Sequence, residues 1–150
     1  MSNNPYATPR ARSLDTPQAG GLLYSPTQVA LGTFVGGVCG LVYFLRANFL
    51  ALGNHEAARN TLLGGAAALV LLALIATLVP GGGGVGVALA LVLFARWVAE
   101  SHQMSKQAID ASGDFDFQSG WRVFGMALAC MVASFALVFA LILAFGLLLA

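Results

Sequence analysis

Few residues in this 150-residue chain are equipped for chemistry, and they gather in two short stretches. His55 and Glu56 stand side by side in the stretch 46–60, but a metalloprotease-type zinc site needs a second histidine one helical turn away, and none is there. The stretch 99–122 holds Glu100, His102, Lys106, Asp110, Asp114 and Asp116. Its Asp-Phe-Asp-Phe run offers two carboxylates, a weak divalent-cation reading, because the aspartates lack the spacing of a calcium loop. Gly81 to Gly86 (GGGGVG) has the glycines of a phosphate-cradling loop without its lysine and hydroxyl residue, so it reads as a turn. No nucleophile has a base near it in sequence. Catalysis, a metal and a cofactor are therefore not expected; an enzyme acting on lipid would need the loop acids and His55 to converge.

The elements that carry these stretches are apolar. Hydrophobic residues make up 59% of the chain, charged residues 9%, and the mean hydropathy is +0.84. A soluble domain carries about 25% charged residues to cover its surface. Seven basic residues against six acidic ones leave a net charge of +1, too little and too dispersed to hold nucleic acid.

Spanning the hydrocarbon core takes about 20 predominantly apolar residues in a helix. Four runs approach that length, at 27–45, 61–79, 84–98 and 123–148, with the third the weakest because Arg96 interrupts it. The expected fold is all-α, a membrane-spanning four-helix bundle formed by residues 26–150, preceded by a polar tail over 1–25. Pro80 and the glycines after it stop the second helix and reverse the chain, which predicts a tight hairpin of the second and third spans.

With four spans drawn, Arg46, Arg59, Arg96 and Arg122 all land at one face, at the level of Tyr43, Trp97 and Trp121. These four arginines and two tryptophans are candidate interfacial anchors or lipid head-group contacts, and Arg96 and Glu100 have the spacing of a helical ion pair. Five basic residues on that face, with Lys106, against Arg10 and Arg12 on the other place loops 46–60 and 99–122 in the cytoplasm and both termini in the periplasm. A re-entrant first run would change this count and bring the N-terminus inside.

Gly32, Gly36 and Gly40 are four apart, so a continuous helix would align them in a groove for another helix. Phe34, Val38, Leu41 and Leu45 would then face lipid, and Gly125, Ala129 and Ala133, or Ala136, Ala140 and Ala144, would supply complements in the last span. Cys39 and Cys130 read as small packing residues. The spans lack any Asp, Glu or His, which a proton-coupled carrier would need. The polar groups within them are few: Thr27, Gln28, Thr33, Thr77 and Ser134.

Asn4 to Ala7, the segment Tyr24 to Phe34, Arg46-Ala47-Asn48, Leu52-Gly53, Ala57-Ala58-Arg59 and Trp121-Arg122 resemble a group of small bacterial four-span integral membrane proteins with an Asn-Pro-Tyr-Ala tail. The resemblance is strongest over the first 60 residues. It implies the bacterial inner membrane and carries over no activity and no functional residue. The expected function is non-enzymatic, through helix or lipid contacts, as for an accessory or immunity protein with a membrane-protein partner or a second copy. The alternative is a small-solute channel or exporter built by oligomers.

Overall fold

A computed structural model of the chain describes residues 21–78, 84–113 and 115–149, with side chains described up to 75 in the first segment and up to 147 in the last. The tail 1–20, the turn expected at 79–83 and Asp114 lie outside the described residues. The element order is β1 (Gly21–Leu23), α1 (Pro26–Ala51), α2 (His55–Leu78), α3 (Gly84–His102), α4 (Lys106–Ser112), β2 (Phe115–Phe117) and α5 (Gly120–Leu149). The architecture is all-α. It is a bundle with four helices long and apolar enough to cross a membrane: α1, α2, α5 and the stretch Gly84–Ser112 that α3 opens.

Helix α1 begins where its residues dictate. Pro26 occupies the first turn, where its missing N–H costs nothing. The Ser25 hydroxyl accepts from the Gln28 N–H at 3.2 Å, and the Gln28 side chain accepts from the Ser25 N–H at 2.9 Å, a reciprocal capping box.

The helix does not run straight. Its 26 residues would extend about 39 Å as a rod. Yet Tyr24, just before it, donates its N–H to Asn48 Oδ1 and accepts from Asn48 Nδ2, both at 2.8 Å. The chain reverses at Gly37, whose φ of 60° and ψ of −144° lie in a region that only glycine enters without strain. Arms 26–36 and 38–51 rise about 16 and 21 Å, well short of a hydrocarbon core about 30 Å thick. The single straight helix expected for 27–45 is thus a helical hairpin.

Two further expectations change with it. Strand β1 pairs in parallel with β2, Gly21 opposite Phe115 and Leu23 opposite Phe117. Residues 21–25 therefore lie at the end of the bundle that holds Arg46 and Arg122, not across from it, whereas α5 carries the chain to the far end. The second correction concerns neighbours. Helices α2 and α3 scarcely touch among the described residues, because the α1 hairpin sits between them and packs on α3, α2 and α5. Over the described residues α2 and α3 are held apart by this wedge and do not pack tightly side by side.

The core lies along this wedge, with Phe44, Leu45 and Val29 fully buried and Leu41, Phe49, Ala95, Ala99, Val123 and Ala127 around them. Outward-facing positions are apolar instead of polar: Leu63, Leu71, Val85, Leu93, Val132, Phe139 and Leu143 are all exposed. Water rarely tolerates such a surface, while lipid makes it unremarkable.

Candidate functional site

The hairpin and the arginine end around its base form the part of the molecule where polar groups meet. At the tip, the break at Gly37 leaves backbone groups without helical partners, and α5 supplies one. The Ser134 hydroxyl donates to the Gly36 carbonyl at 2.6 Å and accepts from the Cys39 N–H at 3.1 Å. One side chain thus caps the end of one arm and the start of the other. Ser134→Ala should cost about 2 kcal/mol, the penalty for orphaning buried backbone groups, read as a lower denaturation midpoint in detergent titration.

The three glycines serve this hairpin and do not form a single groove. A Cβ on Gly40 would run into the Gly32 carbonyl oxygen, and one on Gly32 into the Phe44 ring. Gly32 and Gly40 therefore face each other across the two arms. Of the three, Gly36 is the one whose nearest neighbours belong to another helix: an added Cβ would stand 2.9 Å from Cys130 Cβ and 3.2 Å from the Ala127 carbonyl oxygen. The complement on α5 is Val123, Ala127, Cys130 and Ser134, spaced along one helix face. The expected complements Gly125, Ala129, Ala133, Ala136, Ala140 and Ala144 are exposed. Val38, Leu41 and Leu45 are buried, not lipid-facing, because the reversal turns the second arm inward; Phe34 is exposed as expected. Both cysteines are free thiols, with Cys130 buried.

At the base, buried Asn48 closes the hairpin. Besides its two bonds to Tyr24, its Nδ2 donates to Gln103 Oε1 at 2.9 Å, and Gln103 Nε2 donates to the Leu45 carbonyl at 2.9 Å. Gln28 Nε2 donates to the Gln118 carbonyl at 2.8 Å, tying the first arm to the segment after β2. Of these amides the sequence marked Gln28 as a polar group of the first apolar run and Asn48 only within the Arg46-Ala47-Asn48 resemblance; Gln103 was not singled out. The Ser25-x-x-Gln28 pattern before an apolar run was the one readable signal.

Tyr24 is buried beside them, its ring 4.8 Å from Phe44 and 6.3 Å from Tyr43. Burial pushes its hydroxyl up to about 12 from an ordinary 10.0; the Tyr43 hydroxyl adds to the rise and the Arg122 guanidinium opposes it. A raised pKa favours the protonated folded state. That stability is complete below pH 10 and falls away as pH climbs towards 12. Tyr24→Phe should remove this alkaline component, seen as a flatter midpoint-versus-pH curve above pH 10.

The arginines stand around the base. Arg46, Arg59, Arg96 and Arg122 are all exposed. Arg96 Nε bonds Glu100 Oε1 at 2.9 Å, the expected pair, and exposure limits its worth to under about 1 kcal/mol. Trp121 is 85% exposed, and Trp97 packs on the ring of His102 with centroids 5.3 Å apart. His55 and Glu56 are exposed on the first turn of α2. Among the described residues no three His, Cys, Asp or Glu side chains come together as metal ligands.

Three cavities follow from the wedge. One, of about 580 Å³, lies between α2 and α3 over Leu41, Leu45 and Phe49, with Asn60, Thr61 and His102 at one end. A second, of about 290 Å³, lies at the tip among Thr33, Gly36, Gly37 and Ser134 and shares Val38 and Leu91 with the lining of the first. The third, of about 550 Å³, runs between the second arm and α2 and has Arg46 at its rim. These are mainly apolar grooves, each with a few polar side chains in its lining. No protein-family model, no curated protein and no solved structure matches this chain.

Proposed function

We propose that the chain is a bacterial inner-membrane protein in which α2, α3 and α5 cross the bilayer while α1 enters and leaves by the arginine face. That face is cytoplasmic by the excess of basic residues there, and residues 21–25 lie with it. The protein acts without catalysis, through contacts with lipid and other helices inside the bilayer. The observation that carries this reading is the outward apolar surface of α2, α3 and α5. It leaves the hydrogen-bonding side chains gathered at the hairpin's tip and base, with no acid, base or histidine between 61–79, 84–95 or 123–150. The assignment to an inner membrane rests on the resemblance to small bacterial membrane proteins.

The test is topological. With Cys39 and Cys130 replaced by alanine, single cysteines are placed by Leu22→Cys, Gly53→Cys and Leu147→Cys, and whole spheroplasts are treated with a membrane-impermeant maleimide. Leu147→Cys should label, and the other two only after lysis. Labelling of Leu22→Cys and Leu147→Cys from the same face would sink the reading.

Passage of a small uncharged solute is a second reading, favoured by two cavities that have Val38 and Leu91 in common in their walls. Liposome flux that Leu91→Trp blocks would support it.

A further inference from the structure

We infer that the groove between the second arm of α1 and α2 holds one acyl chain of an anionic glycerophospholipid, with the Arg46 guanidinium on its phosphate. The inference deepens the reading above, since it rests on the arginine end lying in a head-group layer. The groove is lined by Cys39, Val42, Leu62, Ala66, Leu69 and Leu137, and Arg46 is the one charged residue among its lining side chains. From Arg46 to Cys39 the second arm rises about 10 Å, so the charge stands at the interfacial end and the apolar floor extends towards the bilayer centre.

Arg46 is available, as Arg59 is, but of the four arginines Arg46 alone lines this groove. Arg96 is engaged by Glu100, and Arg122 lies beside Tyr24. Arg46 makes no hydrogen bond or ion pair with any described residue, and it is exposed. A guanidinium with a free fork binds phosphate oxygens in a bidentate manner. The floor beneath it persists because α2 approaches at Gly65, where even a Cβ would strike Val42, so the groove is walled on that side by backbone. The charge selects an anion, and the short apolar trough takes a chain in place of a helix, which would need a longer face.

The experiment reconstitutes the full-length protein in vesicles with spin-labelled phosphatidylglycerol or phosphatidylcholine and measures the motionally restricted lipid fraction. The wild type should prefer phosphatidylglycerol about five-fold, the factor expected of one interfacial arginine. Arg46→Gln should bring the ratio close to one, while Arg59→Gln should leave it unchanged. Leu69→Trp, which fills the trough, should reduce the restricted fraction of both lipids with Arg46 intact; Leu137→Trp does the same from α5 if the first variant fails to fold. A preference that survives Arg46→Gln, or that falls equally with Arg59→Gln, overturns the proposal. Absence of restricted lipid of either kind in the wild type, with release of the protein by alkaline carbonate, would instead overturn the membrane reading itself.

Discussion

Gly40→Ala unseats the two arms of α1 and lowers the stability of the bundle by about 3 kcal/mol, the upper range for forcing volume into a packed site. The new methyl meets the Gly32 carbonyl oxygen, and beyond it the Gly32 carbonyl carbon and Thr33 Cα, at 3.2 and 3.4 Å. These are backbone atoms of a helix, and they cannot swing aside as a side chain does. Relief requires the arms to part, which pulls Gly36 and Cys39 away from Ser134 and exposes the tip. Detergent unfolding measures the loss. Spin labels introduced by Thr27→Cys and Ala47→Cys report the parting as a longer distance at the base. Gly125→Ala is the matched control: nothing lies within 4 Å of its added Cβ, so it should be neutral or slightly stabilising by helix propensity. An intact hairpin distance in Gly40→Ala would contradict the arm-to-arm packing.

Asn48→Leu should cost about 3 kcal/mol by a different route, leaving the Tyr24 N–H and carbonyl and Gln103 Oε1 without their partners. Leucine is similar in volume, so the loss isolates the polar contribution. The geometry makes the expectation specific. One carboxamide imitates a neighbouring strand for Tyr24 and at the same time holds the end of α3 through Gln103. Removing it should free the base while the glycine-packed tip stays closed. The Thr27→Cys and Ala47→Cys label distance should broaden without shifting as far as in Gly40→Ala. Equal stability of Asn48→Leu and wild type would mean that water or lipid replaces these bonds at no cost.

The order of the helices and their apolar character were legible because both depend on local composition. A run without ionisable groups from Thr61 to Val79 is a membrane-length helix wherever it packs. The Arg96–Glu100 pair was legible for the same reason, since its partners are set by helical periodicity alone. The hairpin was not. Gly36 and Gly37 are adjacent and chemically identical, and nothing in Val-Gly-Gly-Val says which of them leaves the helix or whether either does. A straight helix satisfies its own backbone. The reversal becomes favourable only when Ser134, 98 residues from Gly36, brings a hydroxyl to the broken turn. The same reasoning explains the misplaced seam on α5. Small residues were counted along the helix, but the contact face was fixed by where the hairpin's tip had to be capped.

By itself, then, the sequence determined the number and apolar character of the long helices. With so few charges and such long apolar runs, their outward faces are apolar wherever they pack, and the arginines must collect where those runs end. Tertiary structure alone decided the path of α1. Whether α1 crosses or turns back depends on hydrogen bonds from Asn48, Gln103 and Ser134 to groups distant along the chain, and such bonds leave no periodic trace in a string of residues.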